Sequence, residues 1–157
     1  MIAFKSGLSK KEKQEIVSLL YELKDVYGDF YITRNNLRLF IKENPDTLFD
    51  CLKKGDFIAF TEKGVGIVTG FSDKSNRKYL KILAQDDATV SDLIKVISWN
   101  TKCDLHFKIK KNNPLKKVLE RNGFRFCGDR GKEILLCKKV RVQKTPNKGD
   151  INRVNKT

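Results

Sequence analysis

The only histidine of the chain marks a place where acid–base chemistry could occur. His106 lies within residues 104–110, where apolar and polar side chains alternate. This alternation is typical of a half-buried strand, and it puts His106 on the polar face together with Asp104 and Lys108. An imidazole titrates near neutral pH, so His106 is a candidate general base. The alternative is a strand residue that faces solvent or a neighbouring helix.

Two carboxylates suggest another route, in which a base acts through a water molecule. Glu62 precedes Lys63-Gly64, and Asp73 lies in a polar stretch over 72–77. Both positions are turns or loops, where acidic residues are common without a chemical role. Neither carboxylate therefore defines a site by itself.

The four cysteines are scattered and include no C-x-x-C pair: they are Cys51, Cys103, Cys127 and Cys137. Structural zinc sites usually take four cysteine or histidine ligands at short spacings. With a single histidine and no such spacing, the sequence predicts no metal site. We expect buried, reduced thiols that pack as small apolar side chains.

Positive charge is concentrated in two parts of the chain, whose formal net charge is +14. Residues 102–125 hold eight basic and two acidic residues, and residues 138–157 hold seven and one. Such clusters favour an anionic partner, above all nucleic acid, although a solvated lysine-rich surface is the alternative. The candidate nucleic-acid contacts are Lys108, Lys110, Lys111, Lys116, Arg121, Lys138, Lys139, Arg141 and Lys144.

Several classes of protein do not fit the sequence. Its 157 residues suit one domain with a tail, which we expect over 1–140 and 141–157. No apolar run is long enough to span a bilayer, and the N-terminus lacks the apolar core of a signal peptide. There is no P-loop, dinucleotide-binding glycine pattern or G-x-S-x-G motif. We therefore expect an intracellular, cytoplasmic protein without a membrane partner.

The hydrophobic pattern predicts helices first, then strands that alternate with helices, and a hairpin at the end. Ser9 and Glu12 form a capping-box pattern before the first apolar stripe. Alternation of strand and helix in the C-terminal half favours parallel pairing, and hairpins on either side make the sheet mixed. The predicted helices cover 9–27, 33–43, 46–54, 88–99 and 114–122, and the predicted strands 57–61, 65–71, 79–84, 104–110, 124–127 and 134–137.

Residues 105–124 resemble the C-terminal half of the GNAT superfamily of acyl-CoA-dependent N-acyltransferases. The family pattern is a strand, an Asn and a short helix that ends in Gly-Phe, and Asn113 and Gly123-Phe124 fall on those positions. The order of elements over 9–138 matches as well. The resemblance implies an α/β (α+β) fold with a mixed central sheet of about six strands flanked by about four helices, which cover its faces.

The resemblance also implies an activity, the transfer of an acyl group from acetyl-CoA or another acyl-CoA to an amine. The family holds the coenzyme diphosphate in a Q/R-x-x-G-x-G/A loop, whose glycines let backbone N–H groups approach the anion at a helix N-terminus. Residues 85–90 occupy this position here. The implied coenzyme contacts are Leu83, Ala84, Gln85, Ala88, Val90, Asn113 and Lys117.

The sequence departs from the family at three points. Ala88 and Val90 replace the loop glycines, and Asp86-Asp87 adds negative charge where an anion would bind. The aspartates also suit a helix N-terminus. Leu119 stands where many members carry a Tyr that protonates the leaving thiolate.

Two functional hypotheses follow from this mixture. The first is an active acyltransferase, associated with nucleic acid through its basic residues. The second is a GNAT-like protein without catalysis that binds nucleic acid or serves as a structural or interaction module. This compact, basic chain is similar to GNAT-like proteins of bacteriophages, in which case the host cytoplasm or the virion is the expected location.

Overall fold

The computed structural model describes residues 1–23, 31–34, 37–40, 48–52, 55–70, 77–101 and 103–140. Strands and helices succeed one another along these residues in an order close to the predicted one. The elements are β1 (Ala3–Lys5), α1 (Lys10–Leu23), β2 (Tyr31–Arg34), β3 (Leu37–Phe40), α2 (Leu48–Cys51), β4 (Phe57–Thr61), β5 (Gly64–Thr69), β6 (Arg77–Ala84), α3 (Asp87–Asn100), β7 (Asp104–Lys110), α4 (Leu115–Arg121), β8 (Arg125–Arg130) and β9 (Glu133–Lys138).

Seven strands form one mixed sheet in the order β1-β4-β5-β6-β7-β9-β8. Neighbours pair antiparallel except β6 and β7, which are parallel and are connected through α3. The predicted mixed α+β architecture is therefore confirmed. The seventh strand is β1, which pairs with β4 and which the sequence pattern did not indicate.

The sheet separates two hydrophobic cores because successive strand residues point to opposite faces. On β5, Val65 and Ile67 join the cluster around α1, while Val68 joins the cluster around α3 and α4. Gly66 faces α3 closely, because a Cβ added there would lie 2.9 Å from Ile97 Cδ1. The central strands are thus covered on both faces, as their apolar sequences require.

Helix α1 begins with the predicted capping box. Ser9 Oγ accepts a hydrogen bond from the Glu12 N–H at 3.1 Å, and Glu12 Oε1 accepts one from the Ser9 N–H at 2.9 Å. These reciprocal bonds satisfy backbone donors that have no partner within the helix. Leu19, Leu20 and Leu23 then pack this helix against the sheet.

The helix predicted over 33–43 is wrong. Within the described residues, β2 and β3 pair antiparallel as a separate two-stranded sheet, with Tyr31 opposite Phe40. The three- and four-residue spacing of apolar residues suggested a helix, but Tyr31-Ile32-Thr33 consists of residues that favour strands. Two asparagines, which favour turns, separate the strands in sequence.

Two further predictions concern the C-terminal tail and membrane-spanning segments. Residues 141–157 lie outside the described residues, so the division into a domain and a basic tail stays a prediction. Among the described residues, no helix is both long and apolar enough to cross a membrane.

Candidate functional site

The two parallel strands in the middle of the sheet separate along their length. The β6–β7 ladder covers three residue pairs and ends where Tyr79 lies opposite His106. Beyond that point β6 continues to Ala84 and β7 to Lys110. On their outer sides, β6 stays paired with β5 and β7 with β9. The result is a V-shaped opening between the strands, which we call the splay.

A narrow cleft occupies the splay and combines apolar walls with basic residues. Residues from both strands line it, joined by the start of α4 and one residue of β9. Among the residues that the sequence singled out, Leu83, Lys108, Lys110 and Asn113 meet here. The complete lining is Lys81, Ile82, Leu83, Phe107, Lys108, Ile109, Lys110, Asn113, Leu115 and Glu133.

One side chain crosses the splay. Lys81 Nζ donates a hydrogen bond to the backbone carbonyl of Lys108 on the facing strand. The same ammonium lies 5.1 Å from the centroid of the Phe107 ring, within the range of a cation–π contact. Sequence reasoning missed Lys81 because a lysine in a strand gives no signal until the strand pairing is known.

Asn113 shapes the turn between β7 and α4. Its Oδ1 accepts a hydrogen bond from the Leu115 N–H at 2.9 Å, and its carbonyl accepts one from the Lys116 N–H at 3.1 Å. Its own N–H donates to the Lys110 carbonyl at 3.1 Å. Asn113 therefore starts α4 at the rim of the splay, while Pro114 takes the position just before the helix.

The loop that follows β6 is closed by a carboxylate of the protein itself. Asp86 is the N-cap of α3, and its Oδ1 accepts hydrogen bonds from the Thr89 N–H at 2.8 Å and the Thr89 hydroxyl at 2.6 Å. These two hydrogen bonds hold the pKa of Asp86 below its ordinary value. The N-terminus of α3 thus already has an anion, and the interpretation of Asp86 as a helix cap is confirmed.

The other residues of this loop differ in burial. Ala84 and Val90 are buried in the core around α3, whereas Gln85 and Ala88 are exposed. Gln85 donates its backbone N–H to the Lys63 carbonyl at 2.9 Å. The implied coenzyme contacts in this part of the chain are therefore divided between the core and the surface.

Basic residues of α4 lie beside this acidic loop. The Arg121 guanidinium is 3.6 Å from a carboxylate oxygen of Asp87, with both side chains largely exposed. Lys117, one turn earlier on α4, is also exposed. Leu119 is buried between these residues and offers no proton to a leaving group.

His106 lies at the closed end of the splay rather than along its walls. It is 7% exposed, and its ring centroid is 5.5 Å from that of Tyr79. On β9 its partner in the ladder is Cys137. The expectation of a solvent-facing residue is therefore wrong, and a role as general base stays a prediction.

The prediction of reduced, buried cysteines is wrong for Cys127 and Cys137, and the Cys51 side chain lies outside the described part of the structure. Cys127 and Cys137 form a disulfide across β8 and β9, with their Cα atoms 6.0 Å apart. Cys103 is half-buried and keeps its thiol. Cys127 lies at a register shift in β8 between Phe126 and Gly128, and its pairing with Cys137 follows from the strand register, which sequence spacing does not reveal.

The remaining candidates lie away from the splay or outside the described residues. Glu62 is exposed in the turn between β4 and β5, where it lines a groove beside α1. Asp73, Arg141 and Lys144 lie outside the described residues. Partial burial at the end of β9 lowers the pKa of Lys138.

Comparison with known proteins locates this architecture among solved structures. No protein-family model matches the chain, and no curated protein matches its sequence. An N-acetyltransferase from Staphylococcus aureus Mu50 superposes with a TM-score of 0.59 at 16% identity, over 89% of this chain and 98% of the other.

Two further structures agree. The ribosomal-protein-S18-alanine N-acetyltransferase from Escherichia coli gives a TM-score of 0.53 at 13% identity, over 92% of this chain and 97% of the other. The PaiA N-acetyltransferase from Thermoplasma acidophilum, solved with coenzyme A, gives a TM-score of 0.52 at 13% identity, over 88% of this chain and 99% of the other. At such low identity, these similarities establish a shared fold.

Proposed function

We propose that this chain, which has the GNAT fold, transfers an acyl group from an acyl-CoA, such as acetyl-CoA, to an amine acceptor. The observation that carries the proposal is the splay between β6 and β7, whose backbone pairing ends at Tyr79 and His106. A sheet interrupted in this way provides two strand edges that can bind an extended thioester arm between them.

The chemistry of the splay suits the arm of such a donor. Its apolar wall includes Ile82, Phe107 and Leu115, against which an acyl chain can pack. The strand edges supply backbone N–H and C=O groups, which can pair with the amide groups of the arm. The cleft measures about 10 Å³, so the donor arm has to displace the Lys81 side chain to reach these residues.

The diphosphate of the donor does not fit the first turn of α3. Asp86 already accepts the Thr89 N–H there, and its carboxylate repels a second anion. We therefore propose that Lys117 and Arg121, which are exposed on α4, hold the phosphates through their side chains. Charge-assisted hydrogen bonds from such cations can replace the missing backbone contacts.

The reaction needs an uncharged amine and a leaving thiolate. The amine nitrogen attacks the thioester carbonyl carbon, the C–S bond breaks, and the nitrogen loses a proton to solvent or to the thiolate. The Lys81 ammonium lies in the splay, where a cation stabilises the negative charge that develops on the carbonyl oxygen. Leu119 gives no proton, so the thiolate takes its proton either from the amine nitrogen or from water.

Calorimetric titration with acetyl-CoA tests the proposal directly. We expect saturable binding of one equivalent and an increase in Tm with ligand concentration, because a ligand that binds only the folded state stabilises it. The double variant Lys117→Ala/Arg121→Ala should bind more weakly, and Lys10→Ala/Lys11→Ala on α1 is the matched control. Absence of both heat and thermal shift at high ligand concentration would refute the proposal.

A second candidate, nucleic-acid binding without catalysis, is favoured by the surface of the edge strand β8. Arg125 and Arg130 are exposed there, and the Phe126 ring between them is 60% exposed. Exposed aromatic rings beside cations are suited to stacking with unpaired bases. Lys111, in the basic segment 102–125, pairs with Asp129 of β8 at 3.2 Å. Part of the positive charge of that segment is therefore balanced within the protein.

Binding of a labelled single-stranded oligonucleotide, measured at several salt concentrations, distinguishes this candidate. Affinity should fall steeply with salt, and Arg125→Ala should reduce the slope by about 0.7, because one cation no longer neutralises a phosphate. Phe126→Ala should weaken binding at every salt concentration, and removal of residues 141–157 should weaken it further. Affinity that does not change with salt would exclude the proposal.

A further inference from the structure

We propose that Cys127, Cys137 and His106 form a zinc-binding site when the disulfide between the two cysteines is reduced. Their possible ligand atoms, two sulfurs and one imidazole nitrogen, all lie within 4.8 Å of one another. Thiolate sulfur and imidazole nitrogen are the ligands that zinc prefers in proteins. The sequence predicted no metal site because these residues are far apart in the chain.

Strand pairing brings the three residues together. Cys137 lies on β9, which runs between β7 and β8, and its ladder partners are His106 on one side and Arg125 on the other. Residues directly opposite in an antiparallel ladder share a face of the sheet. Cys127 lies two residues after Arg125 on β8, and its bond to Cys137 places the two sulfurs together.

The burial of the cluster suits a bound ion. His106 is 7% exposed and lies against the Tyr79 ring, which limits the rotation of the imidazole. Cys127 is exposed and provides a route for the ion.

The oxidation state of the cysteines decides whether the site exists. A dithiol reductant donates two electrons and two protons, so that the protein disulfide becomes two thiols and the reductant becomes a disulfide. Zinc then binds two thiolates and the neutral imidazole, and two protons are released. Bonded to each other, the sulfurs are not thiolates and cannot provide this ligand set. Reducing compartments favour the dithiol, hence the metal-binding form.

The cluster is separate from the proposed acyl-transfer cleft. The residues lining that cleft include neither cysteine nor His106. Three protein ligands from three adjacent strands would hold β7, β9 and β8 together, with a fourth coordination position left for another ligand. Metal binding can therefore be measured independently of acyl transfer.

The test compares oxidised and reduced full-length protein of native sequence. After reduction with a phosphine and anaerobic removal of the excess, zinc is titrated against a chromophoric chelator. We expect one equivalent to bind to the reduced protein and none to the oxidised protein. Cobalt should give a thiolate-to-metal charge-transfer band only after reduction, which identifies sulfur as a ligand.

Variants assign the ligands. Cys127→Ser and His106→Ala should each weaken zinc binding by roughly 10–100-fold or more. Cys103→Ser is the matched control, because it removes a thiol outside the cluster and should leave the stoichiometry at one. The proposal is overturned if reduced native protein binds no zinc, or if Cys103→Ser lowers zinc binding as much as Cys127→Ser does. The comparison of redox states needs no variant, so misfolding of a variant leaves it valid.

Discussion

The splay and the first turn of α3 are neighbours, because β6 forms one edge of the splay and leads into α3. They differ in how much they depend on particular side chains. The splay needs only two strands that diverge, which many sequences can produce. A phosphate cradle at a helix N-terminus needs exposed N–H groups, and Asp86 occupies one of them. Two neighbouring subsites of one fold can thus change independently.

The largest expected effect comes from truncating a buried aromatic side chain that packs against the lining of the splay. Phe124 is buried and contacts Phe107, a residue of the cleft, edge to face at 6.3 Å between ring centroids. Phe124→Ala should reduce the free energy of unfolding by about 3–5 kcal/mol. Urea denaturation measures this change, and Phe126→Ala, at a 60% exposed ring, should stay within about 0.5 kcal/mol. Equal losses in the free energy of unfolding of both variants would contradict the role of Phe124 in supporting the lining of the splay.

A smaller effect is expected from adding a side chain at Gly64, which lies close to the loop that follows β6. A Cβ at Gly64 would lie 2.8 Å from the Ala84 Cβ and 2.9 Å from Thr89 Cγ2. Gly64→Ala should therefore lower the free energy of unfolding by about 1–3 kcal/mol. Gly7→Ala meets nothing within 4 Å and serves as the control. If Gly64→Ala behaves like the control, the loop is not packed as tightly as described.

Removal of the ammonium that crosses the splay should change donor binding. Lys81→Met abolishes the hydrogen bond to the Lys108 carbonyl, a contact that an acyl thioester has to displace. Such a bond is worth about 0.5–1.5 kcal/mol, so acetyl-CoA affinity should rise about two- to ten-fold. Calorimetry measures the rise, with Lys78→Met in the paired part of β6 as the control. Weaker binding by Lys81→Met would mean that Lys81 contacts the donor in the ground state.

The smallest effect concerns acid sensitivity at the start of α3. Hydrogen bonds from Thr89 lower the pKa of Asp86, so its carboxylate stabilises the folded state above its ordinary pKa of 3.8. That contribution disappears as the pH falls through the lowered value in the folded protein. Asp86→Asn keeps a good capping residue without the charge, and its Tm should decline less between neutral pH and the acid range.

A second carboxylate provides the comparison for that profile. Asp129 also has a lowered pKa, chiefly because it accepts the Gly131 N–H, and it lies in the hairpin far along the chain. Asp129→Asn should leave the contribution of Asp86 to the acid profile in place. Identical profiles for Asp86→Asn and the native protein would show that the cap does not act through its charge.

Local chemistry explains which predictions were confirmed. Ser9 and Glu12 sit three residues apart and cap α1 as their spacing indicates. Asp86 caps α3 for the same kind of reason, since a short polar side chain bonds to a backbone N–H three residues ahead. The prediction of a helix over 33–43 was wrong because apolar residues with helical spacing coincide there with residues that favour strands. The pairing of β2 with β3 decided between the two structures.

The capped helices follow from the amino-acid sequence alone, because they depend on contacts within a few residues, and the order of elements together with the resemblance over 105–124 indicated the mixed fold. Tertiary structure was needed to show where β6 and β7 separate, that Lys81 crosses between them, and that His106 meets Cys127 and Cys137. Those features depend on strand register between distant segments. A shift of one residue would turn each side chain to the other face, and no local pattern encodes that choice.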